Sequence, residues 1–161
     1  MPAPRVRLIG NGDRPALARL VRELWGTDIV VGHGVVFTPA DLPGLLAERD
    51  GETVGLLTYE IDGDALEVVT IDAFPPAAGT GSALLDAAVG VARSAGCRRM
   101  WLMTTNDNLD ALRLYQRRGF RLVALRAGAV DRARADLKPS IGEVAENGIP
   151  IRDELELAID L

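Results

Sequence analysis

Gly79-Thr80-Gly81-Ser82 lies between an extended apolar run and an amphipathic helical pattern. Backbone N–H groups at such a turn, backed by the positive end of a helix dipole, favour an anion, and a phosphate-bearing ligand is the natural guest. Glycine suits the position because a Cβ would hold a phosphate away from those donors. The same glycines also suit a plain strand-to-helix turn, so the spacing alone leaves both readings open. Further along, Asn108, Ala111 and Tyr115 are spaced i, i+3, i+7 and share one helix face. Asn108 and Tyr115 are then about 10 Å apart along the axis, so an elongated ligand can meet the amide first and the phenol later. A core aromatic with its hydroxyl at the edge is the competing reading of Tyr115.

Two nucleotide motifs fail residue by residue. A P-loop needs a lysine after its second glycine, and the sole lysine of the chain is Lys138. The dinucleotide fingerprint needs a third glycine where Leu84 stands, and an acid about 20 residues on, where Arg99, Met100 and Trp101 stand.

Taken together, the two segments resemble the GNAT superfamily of acyl-coenzyme A dependent N-acetyltransferases. Its pyrophosphate signature, Gln/Arg-x-x-Gly-x-Gly/Ala, is matched by Pro76-Ala77-Ala78-Gly79-Thr80-Gly81. Its second signature, Asn-x-x-Ala-x-x-x-Tyr followed by Gly-Phe, stands complete as Asn108, Ala111, Tyr115, Gly119 and Phe120. The departure is Pro76, which has no N–H to offer a phosphate, so the grip on a diphosphate leans on Gly79, Gly81 and Ser82.

The resemblance implies an α+β GNAT fold, a mixed central sheet of about six to seven strands flanked by helices and splayed between the fourth and fifth strands. It implies acetyl-CoA as cosubstrate, with Ile71 and Ala73 beside the pantetheine arm and Ala78, Gly79, Thr80, Gly81 and Ser82 around the diphosphate. Asn108 and Ala111 complete the cofactor side, and the Tyr115 phenol approaches the sulfur as general acid. The implied reaction is direct attack of a primary amine on the thioester, with no covalent enzyme intermediate and no metal. Glu67 is the carboxylate best placed on the fourth strand to act as base, with Asp72 in reserve; a salt-bridged strand residue is the bland alternative for Glu67. His33 lies in a stretch that borders the acceptor site in this family and is the candidate substrate contact, or else an ordinary loop histidine. The acceptor is a small-molecule or peptide amine, and the resemblance leaves room for a homodimer. A catalytically silent acyl-CoA-binding sensor or interaction module with a GNAT-like fold is the rival reading, motivated by Pro76.

These residues need elements to hold them. Val6 to Ile9 reads as a strand, followed by a helix in which Leu17, Leu20, Val21, Leu24 and Trp25 recur at helical spacing. Asp13 is expected to cap it, Pro15 to occupy its first turn and Gly26 to end it. Thr27 to Pro43 is too broken in period for a regular element, and a mobile loop or short helix is expected. Leu45 to Glu48, Thr53 to Ile61 and Leu66 to Ala73 read as an antiparallel meander joined by Asp50-Gly51 and Asp62-Gly63-Asp64. A helix ending at Gly96, a strand from Met100 to Thr104, a helix from about Asn108 to Arg118 and a strand from Phe120 to Leu125 follow, with parallel crossovers. Ala129 to Leu137 suits a short helix, and Leu155 to Leu161 a final strand. The block from Glu143 to Asp160 is acidic, with Asp153, Glu154 and Glu156 against Arg152, and reads as an acidic wall for a cationic acceptor, an oligomer edge or a solvated edge strand.

Of the 161 residues, 48% are apolar and 25% charged, the balance of a globular domain, and a single domain spanning 1–161 is expected. A net charge of −5 argues against nucleic acid and against anionic membrane surfaces as partners. The single cysteine, Cys97, excludes an intramolecular disulfide and suits a reducing cytoplasm. No segment approaches the ~20 continuous apolar residues of a bilayer crossing. Arginine in place of lysine, with abundant Ala, Gly and Val, suggests a GC-rich bacterial source.

Overall fold

The computed structural model describes residues 2–76 and 79–161. Along the chain run β1 (Arg5–Leu8), α1 (Arg14–Trp25), β2 (Val30–Gly32), β3 (Val35–Phe37), β4 (Gly44–Arg49), β5 (Glu52–Asp62), β6 (Ala65–Ala73), α2 (Thr80–Ser94), β7 (Arg99–Thr105), α3 (Leu109–Arg117), β8 (Arg121–Arg126), α4 (Ala129–Asp136) and β9 (Glu154–Asp160). The chain divides into two compact units. Residues up to Val30, Thr38–Met100 and Asp160–Leu161 form the first, and Val31–Phe37 and Trp101–Ile159 the second.

In the first unit, β1, β4, β5 and β6 pair antiparallel in that order. Gly55 and Leu56 are adjacent on β5 and therefore face opposite sides of the sheet. Leu56 joins Leu46 beneath α1, whose Leu17 and Val21 complete the cluster with Ala40. Gly55 faces α2, against Thr80 and Leu84. The unit is thus a sheet with a helix on each side. Arg98 and Arg99 donate to the Asp64 carbonyl at 2.7 and 3.3 Å, so β7 starts beside the start of β6 and the crossover through α2 is parallel.

In the second unit, β9 lies between β7 and β8. It runs antiparallel to β8, with Arg126 opposite Glu154 and Arg121 opposite Ala158. The Asn106 N–H donates to the Asp153 carbonyl at 3.1 Å, and the Leu161 N–H to that of Arg98 at 2.9 Å, so it is antiparallel to β7 as well. The final strand is therefore not the solvated edge; β8 is, with Leu122, Val123 and Leu125 exposed.

Two local expectations are corrected. The stretch after α1, expected as a mobile loop or short helix, begins instead as a hairpin of β2 and β3, and its only helical part among the described residues is a short 3-10 helix at Pro39–Asp41. His33 (φ 40°) and Gly34 (φ 78°) both lie in the left-handed region, as a two-residue hairpin of right-handed twist requires. Asp13 precedes α1 but does not cap it, because its carboxylate accepts instead from Arg7 at 2.8 and 2.9 Å and from the Gly10 N–H at 2.7 Å. The Arg7 guanidinium, first of all, holds the Asp13 carboxyl down at about 2. Pro15 and Gly26 behave as expected, the latter at φ 70° with its N–H on the Arg22 carbonyl at 2.7 Å.

Candidate functional site

Gly79 sits at φ 78° immediately before α2 and accepts from the Ala83 N–H at 3.1 Å. The N–H groups of Thr80, Gly81 and Ser82 occupy the first turn, where no intrahelical acceptor exists, and no acidic side chain competes there. Thr80 is held from below: a Cβ on Gly55 would lie 2.5 Å from Thr80 Cγ2 and 3.0 Å from Leu84 Cδ1, so only glycine lets the helix start settle this close to the sheet. The Thr80 hydroxyl is buried without a hydrogen-bond partner among the described residues. Ala78, expected at the diphosphate, and the neighbouring Ala77 lie outside the described residues.

The register of β6 on β5 is irregular. Thr58 faces Thr70, but Tyr59 faces Val68, so β6 holds one extra residue, Val69. Glu67 and Asp72 are five positions apart, which regular alternation would set on opposite faces. The bulge cancels that: Glu67 lies opposite Glu60 and Asp72 opposite Leu56, and Glu60 and Leu56 share a face of β5. Glu67, Thr70 and Asp72 therefore line the α1 side, with Thr58 and Thr70 joined by a buried hydroxyl contact of 2.6 Å. Glu67 is buried. Burial beside Leu56 pushes the Asp72 carboxyl up to about 7. Ile71 and Ala73 lie opposite Leu57 and Gly55, on the α2 side.

In the second unit, Asn108 caps α3: its Oδ1 accepts from the Ala111 N–H at 3.3 Å, which ties the asparagine and the alanine of the motif together. Tyr115 is buried, its ring 6.0 Å from Phe120. Gly119 earns its place twice, by φ 94° and by Ile159 Cδ1 at 3.3 Å from where a Cβ would be. His33 at the hairpin tip donates its N–H to Glu154 Oε2 at 3.1 Å, and its ring stands 5.2 Å from that of Trp101.

Sequence reasoning missed Gly55, the Thr58–Thr70 pair, Glu154 and Asn106. A glycine inside a strand pattern is a signal for close backbone approach and could have found Gly55. Glu154 read only as one of several C-terminal acids. Asn106 Oδ1 accepts from the N–H groups of Arg152 and Asp153 at 3.0 Å each, and Nδ2 donates to the Pro150 carbonyl at 2.9 Å, a set of partners no local pattern announces.

Residues 18–120 match the model of the acetyltransferase (GNAT) family. YdhI of Bacillus subtilis (strain 168) is 43% identical over 132 residues, covering 81% of this chain and 82% of that protein. The IAA acetyltransferase from Bacillus cereus ATCC 14579 superposes with a TM-score of 0.73 at 22% identity over 99% of this chain and 100% of that one. A GNAT family acetyltransferase from Elizabethkingia anophelis with acetyl-CoA bound gives 0.72 at 20% identity, covering both chains fully. By its sequence match and its fold, with a mixed sheet of seven strands and four α-helices among the described residues, the chain belongs to the GNAT acetyltransferase family.

Proposed function

We propose that this protein transfers an acetyl group from acetyl-CoA to a primary amine by direct attack, without a covalent enzyme intermediate. The observation that carries the reading is the start of α2: a left-handed Gly79, a first turn of N–H donors that holds no acidic residue, and a buried Thr80 hydroxyl without a partner among the described residues. This donor set fits a diphosphate, and the structurally similar Elizabethkingia anophelis protein is described with acetyl-CoA bound. Acetyl-CoA, when bound, supplies the thioester whose acetyl group moves to nitrogen.

The chain's own groups do the rest. Gly79, Thr80, Gly81 and Ser82, with Ala78 before them, hold the diphosphate through backbone donors. Ile71 and Ala73 line the pantetheine arm, and Asn108 Nδ2 donates to it, its Oδ1 being occupied by Ala111. Tyr115 Oη carries the proton that the departing sulfur takes up. Glu67 accepts the proton of the acceptor ammonium, directly or through water, with Asp72 on the same face as the reserve. His33 contacts the acceptor. One domain spanning 1–161 and a cytoplasmic setting complete the reading, the latter suited by a single cysteine that is buried and unpaired.

Release of free coenzyme A from acetyl-CoA, measured with a pooled amine panel, tests the whole. Tyr115→Phe and Glu67→Gln should each slow release by ~10²–10⁴-fold, the usual range for a lost general acid or base. An unchanged Tyr115→Phe rate removes the acid assignment, and a larger loss in Asp72→Asn than in Glu67→Gln moves the base to Asp72. Gly81→Asp should abolish the thermal shift given by acetyl-CoA with the fold intact. Binding without turnover on every amine would leave the silent sensor instead.

A further inference from the structure

Glu154 opens β9 as a buried carboxylate, 7% exposed. Its partner is the backbone N–H of His33. The cation opposite it in register, Arg126, is committed elsewhere, donating to Glu156 Oε1 at 2.8 Å and to Met103 Sδ at 3.4 Å. The residue that this carboxylate holds carries a ring in contact with two others: His33 is 5.2 Å from Trp101 and 5.7 Å from Phe37, centroid to centroid, the second pair edge to face. Phe37 is buried, while His33 and Trp101 keep part of their surface open. A buried carboxylate is costly without a countercharge, and aromatic faces attract cations within about 6 Å. Rings and carboxylate together describe the receptor of a positively charged nitrogen.

We propose that His33, Phe37, Trp101 and Glu154 anchor a cationic group of the acceptor other than the nitrogen that is acylated. The reacting nitrogen must lose its proton before it attacks, so a pocket that stabilises positive charge suits the nitrogen that does not react. The acceptor class is then a diamine or another amine bearing a second positive charge. This rests on the acetyltransferase reading above.

Trp101 reports binding directly once Trp25→Phe leaves it the sole tryptophan. Tetramethylammonium should change its emission saturably, whereas sodium at equal ionic strength and tert-butanol, the uncharged counterpart, should not. Glu154→Gln keeps an oxygen for the His33 N–H but removes the charge, and should weaken binding by about tenfold. His33→Asn tolerates the left-handed backbone and should weaken it by about threefold. If Trp25→Phe does not fold, calorimetric titration of the unmodified protein makes the same comparison. In turnover, 1,5-diaminopentane should show a KM about tenfold below that of pentylamine, and Glu154→Gln should erase the gap with kcat kept. No saturable response, equal binding by Glu154→Gln, or equal KM values for the two amines would overturn the anchor. Saturable binding with no coenzyme A release on any amine would uphold the anchor and remove the acetyltransferase reading.

Discussion

The candidate site groups of the two units are held by different means. In the first, the backbone does it: the Val69 bulge brings Glu67 and Asp72 to one face, the left-handed Gly79 opens α2, and the missing side chain of Gly55 lets Thr80 settle on the sheet. In the second, side chains tie down backbone. Asn106 binds three main-chain groups between Pro150 and Asp153, and Arg134 donates to the carbonyls of Ile141, Gly142 and Ile151 at 2.7 to 3.0 Å. Asn108 caps α3, and Glu154 holds the hairpin tip. A backbone device fails when atoms are added, and a side-chain tie fails when they are removed.

Asn106→Ala should therefore be the most damaging of three truncations or additions, at about 3–4 kcal/mol, because it strands two N–H groups and a carbonyl at once. Hydrogen exchange would show protection lost at 151–153 and kept in β4 and β5; uniform loss would dissolve the contrast between the units. Asp72 follows. Its carboxyl ionises near 7 in the folded chain and near 3.8 when unfolded, so the folded state binds more protons between those values. Stability is then greatest below pH 4, falls as pH rises to 7 and levels off above. Asp72→Asn should abolish that slope and be more stable than the parent at pH 8 by ~4 kcal/mol, read from their denaturation curves. Parallel profiles for parent and variant would show that the bulge does not bury this group.

Gly55→Ala should cost about 2 kcal/mol by driving a methyl into Thr80 and Leu84, and should reduce the thermal shift given by acetyl-CoA beyond that loss. A stability loss with the shift unchanged would separate the strand contact from the diphosphate turn. The smallest effect belongs to Asn108→Ala, about 1 kcal/mol for a lost cap. Asn108→Asp keeps the cap but removes the Nδ2 donor, so stability retained with cofactor binding lost would assign the two ends of the amide separately.

Much of this was legible in the chain, because the features are local. The meander from Gly44 to Ala73 follows from alternating apolar residues and two short turns, and α2 and α3 from helical spacing closed by Gly96 and Gly119. The glycine turn and the Asn108–Tyr115 face are contiguous motifs, so their residue types survive as a readable pattern. The hairpin at His33 was misread because its strands have three residues each, too few for a period to emerge. Asp13 was misread because Arg7 competes for its carboxylate, a contact set by where β1 ends. Glu154 reads in sequence as one acid of a C-terminal acidic block, because its burial depends on β8 and β7 flanking it.

What the sequence settled by itself is the family, the order of elements and the donors of the glycine turn, all of which depend on residues close together along the chain. What only the tertiary structure decided is which distant groups share an environment. A single extra residue on β6 reversed the face of everything after it and brought Asp72 beside Leu56 and onto the side of Glu67. The insertion of β9 between β7 and β8 turned a C-terminal acid into a buried one. Strand register and strand order carry no local signature, because a side chain's face is determined by pairing partners far away in sequence.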